Sequence, residues 1–209
     1  MHIKSLHCEL AQPKDPNGKL VVVLHGRGDS SAGFHWMPST LAIPGVTWLL
    51  VNAPDDWYGG YSWYDMPPNQ AAGILRSRKL LDTLFDEIEA HGFAPEDTVL
   101  FGFSQGCLLT LEWGLRSERL LAGCIGVSGY CYDPIALGEE ASEAAQERPC
   151  FVTHGRQDEV LPYEVTSRQM MHLMSTGLPI DFRAYAKTHT IDPDLEDIRE
   201  ALIDMLKAN

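Results

Sequence analysis

Thr98-Val99-Leu100-Phe101-Gly102-Phe103-Ser104-Gln105-Gly106 is the stretch whose reading decides the fold. Its first four residues read as a buried strand that ends at Gly102. The apolar-rich segment from Gln105 to Arg116 reads as a helix. Gly102-x-Ser104-x-Gly106 thus stands between strand and helix, which is the context a G-x-S-x-G elbow requires. A serine in so tight a turn needs neighbours two positions away that lack side chains, and its hydroxyl is left in the open. The helix N-terminus behind it favours negative charge. An incidental serine in a glycine-rich turn is the bland alternative, and the flanking elements weigh against it.

Outward from this stretch, short apolar runs alternate with helical periodicity. Strands are predicted at Leu20 to Leu24, Thr47 to Val51, Leu121 to Val127, Cys150 to Thr153 and Ile180 to Tyr185. Helices are predicted at Ser30 to Leu41, Ala71 to His91, Tyr163 to Met174 and Leu195 to Lys207. Such alternation means right-handed βαβ units in an α/β, doubly wound, mostly parallel sheet flanked by helices. Residues 1–12 are expected to add an antiparallel edge strand, and the acidic Gly138 to Glu147 to form a solvated turn or short helix, too short for a cap domain. No repeat or linker interrupts residues 1–209, so a single domain is expected; a chain this long buries roughly 70% of its unfolded surface without a staple.

Ligands of such sheets bind beyond the carboxyl ends of the strands. A serine there needs a base, and the base needs an orienting acid. The expected chain order is serine, acid, histidine. Asp158 follows the Cys150 strand and is the preferred acid over Glu159, with Asp133 a further rival. His189 is the only histidine after the last strand and is the expected base; His25 and His154, at strand ends, are read as packed and hydrogen-bonded. The oxyanion donors are expected to be the backbone N–H groups of Gln105 and of Arg27, the latter between Gly26 and Gly28. Because both are backbone groups, Arg27→Ala and Gln105→Ala are expected to be mild. A phosphate-binding reading of this glycine loop lacks the required GK[ST] or GxGxxG pattern. Trp57, Tyr58, Tyr61, Trp63 and Tyr64 crowd a presumed long loop from Asp55 to about Asn69. Trp63 is the expected acyl contact with Val160 opposite; anchoring of the loop to the core is an equal alternative.

The segments Leu24 to Asp29, Ser62 to Asp65, Gly102 to Gly106, His154 to Pro162 and the His189 loop together resemble the acyl-protein thioesterase, or small phospholipase/carboxylesterase, family of the α/β-hydrolase superfamily. The resemblance implies an α/β-hydrolase fold without a large cap, and a cofactor-free esterase or thioesterase that is often a homodimer. It implies Ser104 as nucleophile, Asp158 as acid, His189 as base, and Arg27 and Gln105 as donors. The chain departs from the family at Arg27, often aliphatic there, in a shorter segment after Ser62-Trp63, and at the polar Lys187-Thr188. These departures favour short or medium acyl esters over long-chain or protein-lipid ones. The expected substrate is a small-molecule or lipid acyl ester or thioester.

Composition narrows the partners. A formal charge of −13 repels nucleic acid and anionic membranes. No run is long enough to insert in a bilayer and no signal core follows Met1, so a cytoplasmic protein is expected. The five cysteines form no CxxC pair, and no metal-ligand spacing of histidines occurs, so no metal is expected.

Overall fold

Leu20–Leu24 and Thr47–Val51 are buried at every position, as apolar runs must be when both faces of a sheet are covered. The computed structural model describes residues 1–207. In chain order the elements are β1 (Cys8–Ala11), β2 (Leu20–Leu24), α1 (Met37–Leu41), β3 (Thr47–Val51), β4 (Asp55–Trp57), β5 (Gly60–Ser62), α2 (Gln70–Ala90), β6 (Thr98–Phe103), α3 (Gln105–Gly114), β7 (Gly123–Val127), α4 (Pro134–Glu139), β8 (Cys150–Gly155), α5 (Tyr163–Ser175), β9 (Ile180–Tyr185) and α6 (Leu195–Lys207).

Seven strands form one sheet in the order β1-β3-β2-β6-β7-β8-β9. All neighbours run parallel except β1, which lies antiparallel to β3 at the edge. Side chains alternate across the pleat. Leu20, Val22 and Leu24 join one core with Ile74, Leu81 and Leu84 of α2 and the apolar residues of α3. Val21 and Val23 face the other, with Met37 and Leu41 of α1 and Ile198, Leu202, Met205 and Leu206 of α6. Among the described residues no large cap covers the carboxyl ends of the strands.

Several boundaries differ from the sequence reading, each for a local reason. The helix expected over Ser30 to Leu41 is a 3-10 turn, Ser31–Phe34, followed by the short α1. Pro38 sits in the first turn of α1, where its missing N–H costs nothing; deeper in a longer helix it would break the ladder. The strands expected to stop at Phe101 and Thr153 continue to Phe103 and Gly155, because their parallel neighbours supply partners there. The strand expected from Leu121 begins only at Gly123. The presumed loop after Asp55 holds a two-stranded hairpin, β4–β5, turned by Tyr58 and Gly59 with φ of 43° and 90°. Positive φ at both turn residues matches the twist of the strands they join. Within the acidic segment Ala144 and Ala145 are buried, so it is a surface segment with an apolar anchor.

Candidate active site

The bend after β6 places Ser104 at φ 54° and ψ −112°, a conformation that L side chains avoid. Neighbouring glycines make it sterically feasible. A Cβ on Gly102 would run into the carbonyl of Gly106, and one on Gly106 into the carbonyl of Leu24. The Ser104 N–H donates to Val127 O at 2.9 Å, tying the bend to β7. Strain of this kind persists only where the surroundings over-determine it.

His189 lies in the loop after β9, half-buried, its ring centroid 5.1 Å from that of Phe103. Its Nε2 is 3.0 Å from Ser104 Oγ, and its Nδ1 is 2.8 Å from Asp158 Oδ2. Asp158 follows β8 and is buried. Its other oxygen, Oδ1, accepts the N–H groups of Val160 and Leu161 at 2.9 and 2.8 Å. Burial alone would push the Asp158 carboxyl up; the Leu161 N–H and His189 outweigh it and hold the group below its ordinary value. The rival acids lie elsewhere: Glu159 is exposed, and Asp133 caps α4 by accepting from the N–H groups of Ile135 and Ala136.

The other strand-end histidines are structural. His25 donates from Nδ1 to Gly26 O at 2.6 Å and accepts from Ala53 N at Nε2, 3.0 Å. His154 donates from Nε2 to Leu161 O at 2.8 Å, bracing the Asp158 turn. Burial pushes both below the ordinary imidazole value, which keeps them neutral. Cys107, one turn into α3, is also buried, and desolvation pushes its thiol up to about 12, so it is no rival nucleophile.

Ser104 opens onto a cleft of about 400 Å³ that Arg27, Tyr64, Asp65, Met66, Gln105, Tyr130, Val160 and His189 also line. Gln105 is the first residue of α3, so its N–H has no carbonyl within the helix. The N–H of Arg27 has no acceptor among the described residues, and its guanidinium lies over the Trp57 ring, 5.5 Å away. His189 also borders a second cleft, about 520 Å³, whose walls include Phe34, Trp36, Phe103, Ile191 and Leu195.

Two sequence expectations need correction here. Trp63 does not wall the cleft: it is fully buried, and its indole N–H donates to His25 O at 2.9 Å. Tyr64, its neighbour, takes the place in the wall. Alternation of side chains in the segment leaving β5 sends one residue inward and the next to the cleft; one residue of register separates the two readings. Gln105→Ala, expected to be mild from the sequence, is now expected to cost stability. Its buried side chain accepts from Trp63 N at 3.0 Å and Ser62 Oγ at 3.2 Å, and donates to Tyr64 O at 2.9 Å. The alanine variant strands the buried Trp63 N–H, while Ser62 Oγ and Tyr64 O keep the 2.9 Å hydrogen bond between them. It is expected to lower unfolding free energy by about 1–3 kcal/mol, the cost of one unsatisfied buried group. Denaturant titration checks this; Arg27→Ala, on an exposed side chain, serves as the near-neutral control.

A mostly parallel sheet with a strand–bend–helix unit at Ser104, and a carboxylate and an imidazole delivered after β8 and β9 respectively, defines the α/β-hydrolase class. Within it, the chain belongs to the phospholipase/carboxylesterase family, whose model matches residues 6–205. It is 31% identical over 183 residues to acyl-protein thioesterase 1 of Schizosaccharomyces pombe, covering 81% of this chain and 82% of that one. Among solved structures, esterase PE8 superposes with a TM-score of 0.86 at 28% identity, covering 96% of this chain and 99% of the other. Arabidopsis thaliana SOBER1 does so at 0.82 and 25%, covering 90% and 99%. No helix among the described residues is long and apolar enough to cross a membrane.

Proposed function

We propose that the protein is a serine carboxylesterase that cleaves short- to medium-chain acyl esters through an acyl-Ser104 intermediate. The observation that carries this reading is the continuous hydrogen-bonded chain from Ser104 Oγ through His189 to Asp158. His189 Nε2 takes the hydroxyl proton as Oγ attacks the carbonyl carbon. Asp158 fixes Nδ1 as the protonated nitrogen, leaving Nε2 free to accept, and its charge stabilises the imidazolium that forms. The N–H groups of Gln105 and Arg27 receive the oxyanion; losing one such donor costs about 10²–10³ in rate. His189 then returns the proton to the leaving alcohol. Water, activated by the same nitrogen, clears the acyl group.

The cleft walls support the short to medium acyl length. Tyr64 and Tyr130 bring two hydroxyls within 3.3 Å of each other there, and Arg27 and Asp65 add charge. A long alkyl chain would desolvate these groups without bonding to them. Val160, 60% exposed, stands at the cleft with Met66 as the apolar wall for a short acyl group. A second reading, acyl-protein thioesterase or lysophospholipase, is favoured by the similarity to acyl-protein thioesterase 1 of Schizosaccharomyces pombe and by the phospholipase/carboxylesterase family match. Paired p-nitrophenyl esters and acyl thioesters of two to sixteen carbons separate the two. kcat/KM is expected to peak at or below about eight carbons on the ester series; a peak at sixteen carbons on the thioesters sinks the first reading.

A further inference from the structure

Lys187 is a lysine in a loop, yet its side chain is only 1% exposed. Its ammonium donates to Asp194 Oδ2 at 2.5 Å, and Asp194 is completely buried. The Thr153 hydroxyl of β8 donates to the same oxygen and accepts from Lys187 Nζ at 3.4 Å. Three buried polar side chains thus meet beneath a loop whose own residues, Thr188 and Asp192 among them, are exposed. That loop runs from Lys187 to Asp194 and carries His189.

The pair closes the loop at its base. Asp194 directly precedes α6, where its carbonyl accepts Ile198 N–H at 2.9 Å. Lys187 follows β9, and its carbonyl accepts the Gln157 N–H at 3.1 Å, joining it to the turn of Asp158. Gly155 makes that approach feasible: any Cβ there would collide with the carbonyls of Lys187 and Thr188. Between these ends lie two backbone bonds, Thr190 N–H to Thr188 O at 3.0 Å and Asp194 N–H to Ile191 O at 3.2 Å, the Ser128 hydroxyl on Thr190 O at 3.2 Å, and the Ile191 side chain packed against the core. The ion pair joins the two ends side chain to side chain, inside the bonds that Arg183 and Tyr185 of β9 make to Asp197 of α6.

Stability is a poor explanation for this arrangement. Burying an ion pair costs more desolvation than an apolar pair of similar volume, and Asp194 Oδ1 has no partner among the described residues. Burial pushes the Lys187 ammonium below its ordinary value, with Asp194 opposing. A device that fixes geometry at some expense of stability fits better. We infer that Lys187 and Asp194, with Thr153, are positioning residues that hold the His189 loop so that Nε2 reaches Ser104 and Nδ1 reaches Asp158. The inference rests on the esterase reading above, in which His189 is the base.

The neutral double variant Lys187→Met/Asp194→Asn removes both charges together and leaves no buried charge unpaired. It is expected to lower kcat on a p-nitrophenyl ester about 10- to 100-fold, since a displacement near 1 Å costs as much as 10². KM should stay within about twofold, as neither residue lines the 400 Å³ cleft. The low-field proton resonance of the His189–Asp158 hydrogen bond should broaden or vanish. Unchanged kcat with that resonance intact would overturn the inference, whatever happens to the melting temperature. Should the double variant fail to fold, Thr153→Val supplies a milder test: kcat about three- to tenfold lower supports the inference, and wild-type kcat rejects it. Failure of the esterase reading looks different, because the wild-type protein itself then lacks ester turnover.

Discussion

Ser104→Ala is expected to lower kcat on a p-nitrophenyl ester by about 10⁵–10⁶, the scale at which a single nucleophile removes the benefit of its whole constellation. The residual rate comes from the cleft and the donors, which the substitution leaves in place. A serine-directed fluorophosphonate should label the wild type once per chain and the variant not at all. Melting temperature should hold or rise, because alanine at φ 54° neither relieves nor adds backbone strain and the hydroxyl it removes opens onto the cleft. Turnover or labelling that survives in the variant means that another group attacks, and the mechanism falls.

The second large effect belongs to Asp158→Asn, expected at about 10⁴ in kcat. The reason lies in how the two carboxylate oxygens are used. Oδ1 faces two N–H donors and Oδ2 faces the Nδ1–H of His189. An asparagine amide satisfies only one of these demands. With its oxygen toward Val160 and Leu161, its NH₂ meets His189 and forces the proton onto Nε2, which then accepts nothing from Ser104. With the amide flipped, two backbone donors face a third, at a cost of roughly 1–3 kcal/mol in stability. Activity assays together with thermal melts distinguish the two orientations. A variant that keeps a tenth of the wild-type rate rules out Asp158 as the orienting acid.

Three strands were legible in the sequence because they announce themselves. Leu20–Leu24, Thr47–Val51 and the edge strand Ile180–Tyr185 match their expected bounds residue for residue, and α6 matches its periodic segment at both ends. The placement of Ser104, Asp158 and His189 within hydrogen-bonding distance follows from chain order in a doubly wound sheet: what directly follows a strand's carboxyl end is brought to one edge. Less was legible where a property belongs to the third dimension. Tyr58-Gly59 turns a hairpin although tyrosine seldom takes φ of 43°, so the aromatic cluster read as loop. The choice between Trp63 and Tyr64 depends on which side chain the sheet swallows. Nothing in Lys187 or Asp194 announces burial; two charged residues in a polar stretch read as surface until their carbons are enclosed.

The Gln105 side chain has a mechanical consequence. Its amide fastens Trp63 and Tyr64 to the very residue whose N–H is assigned to the oxyanion. Wall and donor are therefore one rigid lever, not two independent parts. An acyl chain too bulky for the cleft that shoves Tyr64 outward also tilts the dipole meant to quiet the developing charge. On the proposed mechanism, oversized substrates are thus expected to lose turnover more than occupancy.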